Sequence, residues 1–236
     1  MEGEMCPRTK IGVLVITFLF FLNRSHKIMA SDPDPVLDFC IPYTPKPESV
    51  TIGPLSGLHW CKNASEATAD DFIFSGIKSA GDFKESGFSA LSINPTAFPG
   101  LNTLGMSFVR ADLDVGGINV PHFHPRATEV ALVLEGKVYS GFVDSANRIY
   151  AKVIEKGEVM VFPRGLVHFQ MNVGDSPATI YGSFNSQNPG LQRIPAAVFG
   201  SGIKEELLKK AFGLSGEQID EMRRKFRPKE ERETHS

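Results

Sequence analysis

The sequence predicts an all-β fold, a small barrel or sandwich, with α-helices at its C-terminal end. Three observations lead there. From residue 104 onward, short runs rich in β-branched and aromatic residues alternate with turn residues at regular spacing. Gly 22, Pro 16 and Phe 18 suit many short strands joined by tight turns better than they suit helices. After Gly200 the apolar residues recur every third or fourth position instead. A chain of 236 residues is expected to form one domain with appendages. Its formal charge of −2 comes with no basic face, so nucleic acid is not an expected partner.

Residues 1–30 read as a signal peptide. Arg8 and Lys10 precede an apolar run from Ile11 to Leu22. That run suits a signal h-region of about 7–15 residues and is short for a spanning helix of about 20. Cleavage after Ala30 is expected. An uncleaved anchor is the alternative, and Lys27 lies close to the cut.

Secretion changes how the cysteines read. Cys6 leaves with the leader, and Cys40 and Cys61 remain as an even pair in an oxidising compartment. A bridge between them would stabilise by about 3 kcal/mol; two free thiols are the alternative. Asn63-Ala64-Ser65 is an N-glycosylation sequon, which places that loop at the surface. Asn23-Arg24-Ser25 falls in the leader, and Asn94-Pro95-Thr96 is blocked by its proline.

Residues 31–103 read as an extended N-terminal arm with the first strands. Pro33, Pro35, Pro42, Pro45, Pro47 and Pro54 keep its early part from periodic structure. Residues 104–200 form the barrel core. Strands are expected at Gly105–Leu113, Glu129–Glu135, Lys137–Val143, Arg148–Ile154, Glu158–Phe162, Val167–Val173 and Thr179–Ser183.

Residues 201–228 form a helical extension. Ile203, Leu207, Leu208, Ala211 and Phe212 share one helical face, and Gly213 can end that helix. Ser215 and Gln218 fit a capping box, followed by a stripe of Ile219, Met222 and Phe226. Pro228 stops it, and residues 229–236 are a charged tail. The two helices pack either on their own barrel or on a neighbouring subunit.

Four side chains form a candidate metal site: His122, His124, Glu129 and His168. In extended chain His122 and His124 point to one side and Phe123 to the other. Glu129 is at an odd offset from His124, so the chain must turn between them, which Pro125 permits. His168 follows the turn Pro163-Arg164-Gly165. A site gathered from separate strands needs a barrel to assemble it. Imidazole with carboxylate suits divalent transition metals, without choosing among manganese, iron, zinc and copper. His59 and His235 are read as structural or surface residues.

The spacing Gly116-x5-His122-x-His124-x4-Glu129-x6-Gly136 resembles the first cupin motif, without a gap. Gly157-x5-Pro163-x-Gly165-x2-His168-x3-Asn172 resembles the second. Beyond the motifs, residues 31–227 resemble the germin-like proteins, which are secreted plant cupins. The features that carry this are Ser31 to Pro35 with Asp38-Phe39-Cys40, His122 to Glu129, Phe162 to Leu166, His168 to Gln170 and Ser183 to Gly190.

The resemblance implies a cupin jelly-roll β-barrel, a Cys40–Cys61 bridge and C-terminal helices that interlock subunits. It implies a homo-hexamer built as a trimer of dimers, in the apoplast or cell wall, with wall components as possible partners. It also implies Mn(2+) held by His122, His124, Glu129 and His168. Germins of the cereal type oxidise oxalate, and two asparagines are thought to hold that substrate. Asn119 matches one of them, whereas Val109 stands at the other position and can donate no hydrogen bond. A lost polar partner would cost about 1–3 kcal/mol, so oxalate oxidation is not expected.

Superoxide dismutation, associated with the wider germin-like group, needs less substrate recognition and becomes the expected activity, with a role in defence. The alternative is a non-catalytic extracellular binding or receptor-type protein whose metal is structural. Lys156-Gly157-Glu158 stands where some members carry an adhesion tripeptide, and here it reads as a polar turn.

Overall fold

The computed structural model of the chain describes residues 37–42, 61–84 and 86–226. The expected signal peptide, the proline-rich stretch from 43 to 60, His59, the stop at Pro228, the charged tail and His235 lie outside the described residues. Among the described residues, no helix is long and apolar enough to cross a membrane.

Among the described residues the fold is a cupin jelly roll of ten strands. These are β1 (Phe88–Ile93), β2 (Ser107–Leu113), β3 (Ile118–Phe123), β4 (Glu129–Glu135), β5 (Lys137–Val143), β6 (Ile149–Glu155), β7 (Val159–Phe162), β8 (His168–Asn172), β9 (Ala178–Phe184) and β10 (Gln192–Arg193). They form two antiparallel five-stranded sheets, in the orders β1-β2-β9-β4-β7 and β10-β3-β8-β5-β6. The alternating apolar residues expected of half-buried strands face inward from both sheets. Leu113, Val133, Val138, Phe162, Ala178 and Ile180 are buried in one core.

The chain changes sheet between β4 and β5 through the single residue Gly136. Its φ is +85°, and a Cβ there would lie 2.6 Å from Ala178 Cβ, so only glycine fits this corner.

Two buried polar clusters tie the sheets to their connections. Asp112 on β2 is 2% exposed and takes both guanidinium contacts from Arg110 at 2.9–3.1 Å, plus the hydroxyl of Thr179 on β9 at 2.9 Å. Arg110 also donates to the carbonyls of Ile77 and Lys78, and Tyr181 donates to Ile77 O. This clamps the segment before β1 onto the sheet. At the end of β8, Asn172 is likewise 2% exposed. Its amide donates to the carbonyls of Leu113, Asp114 and Ser176, and its oxygen accepts from Gly174 N–H.

β1 falls among the first strands expected before residue 104, while β3 and β10 add to the expected strands. β3 is hard to see in a sequence because Pro121 interrupts its alternation and a bulge lies between Asn119 and His122. The Cys40–Cys61 disulfide is formed, with a Cα–Cα distance of 4.8 Å. Asn102 holds its flank by donating to Cys40 O, and Pro42 pairs with Cys61.

Three helices follow: α1 (Ile194–Phe199), α2 (Glu205–Phe212) and α3 (Gly216–Phe226). α1 was not expected. It packs on β3 and on α3, and Phe199 meets Phe212 and Phe226. Gly213 ends α2 in the left-handed conformation. The Ser215 box forms as expected, with Gln218 N–H bonded to Ser215 Oγ and Ser215 N–H to Gln218 Oε1. Leu208 and Ile219 are buried, while Leu207 and Phe212 stay exposed on the single chain.

Candidate metal centre

Local structure delivers each candidate ligand separately. His122 lies on β3 opposite His168 at the start of β8. His124 follows the last residue of β3, and the turn through Pro125 brings the chain back so that Glu129 opens β4. Arg126 N–H bonds to Pro189 O, and Arg126's guanidinium holds Asn188, so a later loop fastens this turn. Gly165 N–H bonds to His124 O, which ties the turn before β8 to the same place.

The four side chains are all buried, and their ligand atoms lie within 4.8 Å of one another. Glu129 Oε2 is 3.2 Å from His168 Nε2 and 3.3 Å from His124 Nε2. Metal–ligand bonds of about 2.0–2.2 Å put donors no more than about 4.4 Å apart. A contraction of a few tenths of an ångström would therefore seat an ion.

Each imidazole is also fixed in the tautomer that a metal requires. His122 Nδ1 meets Val120 O at 2.8 Å, His168 Nδ1 meets Leu166 O at 2.9 Å, and His124 Nδ1 meets Gly190 O. A carbonyl can only accept, so Nδ1 carries the proton in all three, and each Nε2 lone pair faces the centre. Phe162 stacks on His168 with centroids 4.4 Å apart, and Phe184 packs against His124 at 4.6 Å.

Electrostatics agree with that assignment. Burial, aided by repulsion from His168, pushes His122 down to about 3, which keeps it neutral in neutral solution. Burial alone would raise Glu129. The ring nitrogens of His124 and His168 beside it outweigh burial and hold the carboxyl at about 2, so it is ionised, and a cation seated between them would take over that role. Three ring nitrogens and one carboxylate fit a divalent transition ion.

Of the remaining candidates, Asn119 and Val109 fall around this centre. Asn119 donates to Gln170 Oε1 at 2.8 Å, and Val109 lines the cavity in front of the ligands. Asn63 is exposed, and its side-chain oxygen accepts from Ser65 N–H and Ser65 Oγ–H. Gly182 escapes a reading of the sequence. A Cβ there would lie 2.4 Å from Glu129 Oε1, so its hydrogen leaves room for the carboxylate. A glycine inside a run of strand formers is the one signal for such a close approach.

Known proteins resemble this chain in sequence and fold. The cupin family model matches residues 75–220. Germin-like protein subfamily 3 member 2 of Arabidopsis thaliana is 62% identical over 205 residues, covering 85% of this chain and 88% of its own. Germin-like protein 2-4 of Oryza sativa subsp. japonica is 57% identical over 199 residues, covering 84% and 86%. The solved structure of an oxalate oxidase aligns with a TM-score of 0.73 at 39% identity, over 83% of this chain and 98% of that one. With both motifs, the jelly roll and the His3Glu site in one chain, the protein belongs to the germin-like proteins of the cupin family.

Proposed function

We propose that this is a secreted manganese-binding germin-like protein of the plant cell wall space. It removes superoxide, serves in defence, and does not oxidise oxalate. The observation that carries this reading is the convergence of three tautomer-locked imidazoles and an ionised carboxylate beside a small cavity. Bound manganese would supply the one-electron redox chemistry that superoxide disproportionation needs. The protein's own residues do the rest. They orient three nitrogens, keep Glu129 charged and leave one side of the centre open to a small ligand. The disulfide and the exposed Asn63 sequon support an extracellular setting.

Oxalate oxidation is disfavoured because Val109 offers no donor beside the centre, and Asn119 is already engaged with Gln170. The test uses the purified mature protein. Elemental analysis is expected to find about one manganese per chain, and His168→Ala should lose most of it. Superoxide consumption should follow manganese content, and peroxide should not form from oxalate. Full manganese in His168→Ala, or brisk peroxide release from oxalate, overturns the reading.

The same reading includes a homo-hexamer, a trimer of dimers. The outer face of the β10-β3-β8-β5-β6 sheet carries Ile118, Met171, Tyr139 and Val153 in one row across four strands. Ile118 is 50% exposed and Val153 42%. Val130, Val159 and Val161 are exposed side by side on the other sheet, as is Leu207 on α2. Exposed apolar rows of this kind support reading these faces as interaction surfaces. Light scattering at micromolar concentration is expected to give the mass of a hexamer; a monomer refutes it.

A further inference from the structure

The ligands open onto a chamber whose walls restrict what can reach them. His122, His124 and Glu129 line a cavity of ≈ 260 Å³ between the two sheets. Beside them the wall is Val109, Ala111, Ile180 and Phe184, the last three buried. Val109 adjoins the centre directly. The point where Gly182 would carry a Cβ is 2.4 Å from Glu129 Oε1 and 2.7 Å from Val109 Cγ1.

The polar side chains of the lining are mostly engaged with protein. Ser107 donates to Ser186 O, Gln187 Oε1 accepts from Thr103 N–H, and Asn119 is bonded to Gln170. The one cation among the lining residues, Arg193, is exposed to water.

Charge then decides the ligand class. Three neutral imidazoles, one carboxylate and a divalent ion sum to a single positive charge at a buried wall. One monoanion neutralises it. A dianion would leave an unpaired negative charge against Val109, Ala111 and Ile180, where burial makes charge costly.

We propose that this chamber takes a small monocarboxylate with an apolar tail. Its carboxylate meets the face formed by His122, His124 and Glu129, and its tail lies along Val109, Ala111, Ile180 and Phe184. The proposal rests on the metal reading above. Superoxide, itself a monoanion, obeys the same charge rule and competes with such a ligand.

The test is a calorimetric titration of the manganese-loaded mature protein with formate, acetate, propanoate and butanoate. Butan-1-ol is the neutral control and oxalate the dianion, with electron paramagnetic resonance reporting bound Mn(II) in every sample. Affinity is expected to tighten about fourfold for each buried methylene. Oxalate and butan-1-ol should both bind at least about tenfold more weakly than butanoate. Val109→Asn should weaken butanoate several-fold while changing formate less. A flat series on protein that retains its Mn(II) signal overturns the chamber proposal and leaves the metal reading standing. Oxalate binding tighter than butanoate overturns it as well. Loss of the Mn(II) signal from the wild-type protein overturns both.

Discussion

Gly182→Ala is expected to strip the chain of its metal while leaving it folded. The added methyl would sit 2.4 Å from Glu129 Oε1 and 2.7 Å from Val109 Cγ1. Neither approach is tolerable, and the backbone has little freedom to retreat. β9 is hydrogen-bonded on both sides, with Gly182 opposite Val109 on β2 and Ala131 on β4. The carboxylate must therefore swing away and take the one anionic ligand with it. Overpacking of this kind costs about 1–3 kcal/mol, which a barrel with an intact core can absorb. Elemental analysis should show bound metal reduced to a small fraction of the wild-type content, with an unchanged far-ultraviolet circular dichroism spectrum. A fully loaded Gly182→Ala protein would show that Glu129 does not need the space.

The second large effect concerns stability. Asn172→Ala should lower the free energy of unfolding by about 3–5 kcal/mol, read from urea denaturation of the metal-loaded protein. The amide's donors serve the carbonyls of Leu113, Asp114 and Ser176 at 2.8–3.3 Å, and its oxygen serves Gly174 N–H at 2.9 Å. Truncation leaves those backbone groups without this partner in a place where Asn172 itself is 2% exposed. One side chain thus closes two turns at once, the one after β2 and the one after β8. Metal content should change little, because Asn172 lies at the far end of β8 from His168. A loss below about 1 kcal/mol would mean that water replaces the amide.

The contrast between these residues explains how much a sequence discloses. His122, His124, Glu129 and His168 are legible because their chemistry is rare and their spacing matches two strands and a turn. Most strands are legible because alternation is a local property. The Ser215 box is local too, and it forms as expected.

Gly182 is not legible in the same way, since its role is to be absent from a space that β4 fills. Arg110 and Asp112 read as ordinary strand residues until Thr179 and the Ile77 segment close around them, across 67 and 33 positions of chain. β3 hides behind Pro121, whose ring breaks the pattern where the bulge turns His122 inward. α1 is too short to show a period, and its place is set by β3 and α3.

The hydrogen bonds behind the imidazoles have a consequence for how such a site can change. Each Nδ1 proton goes to a main-chain carbonyl, of Val120, Gly190 or Leu166, and none to a side chain. Substitution can remove a side-chain partner, but it leaves a carbonyl in place. Val109, Ala111 and Ile180 can therefore drift by mutation without retuning the nitrogens that would hold the ion. The metal centre and the chamber in front of it are separately heritable. A lineage can try new ligands by exchanging wall residues, while the apparatus that would grip the metal is copied forward in the backbone itself.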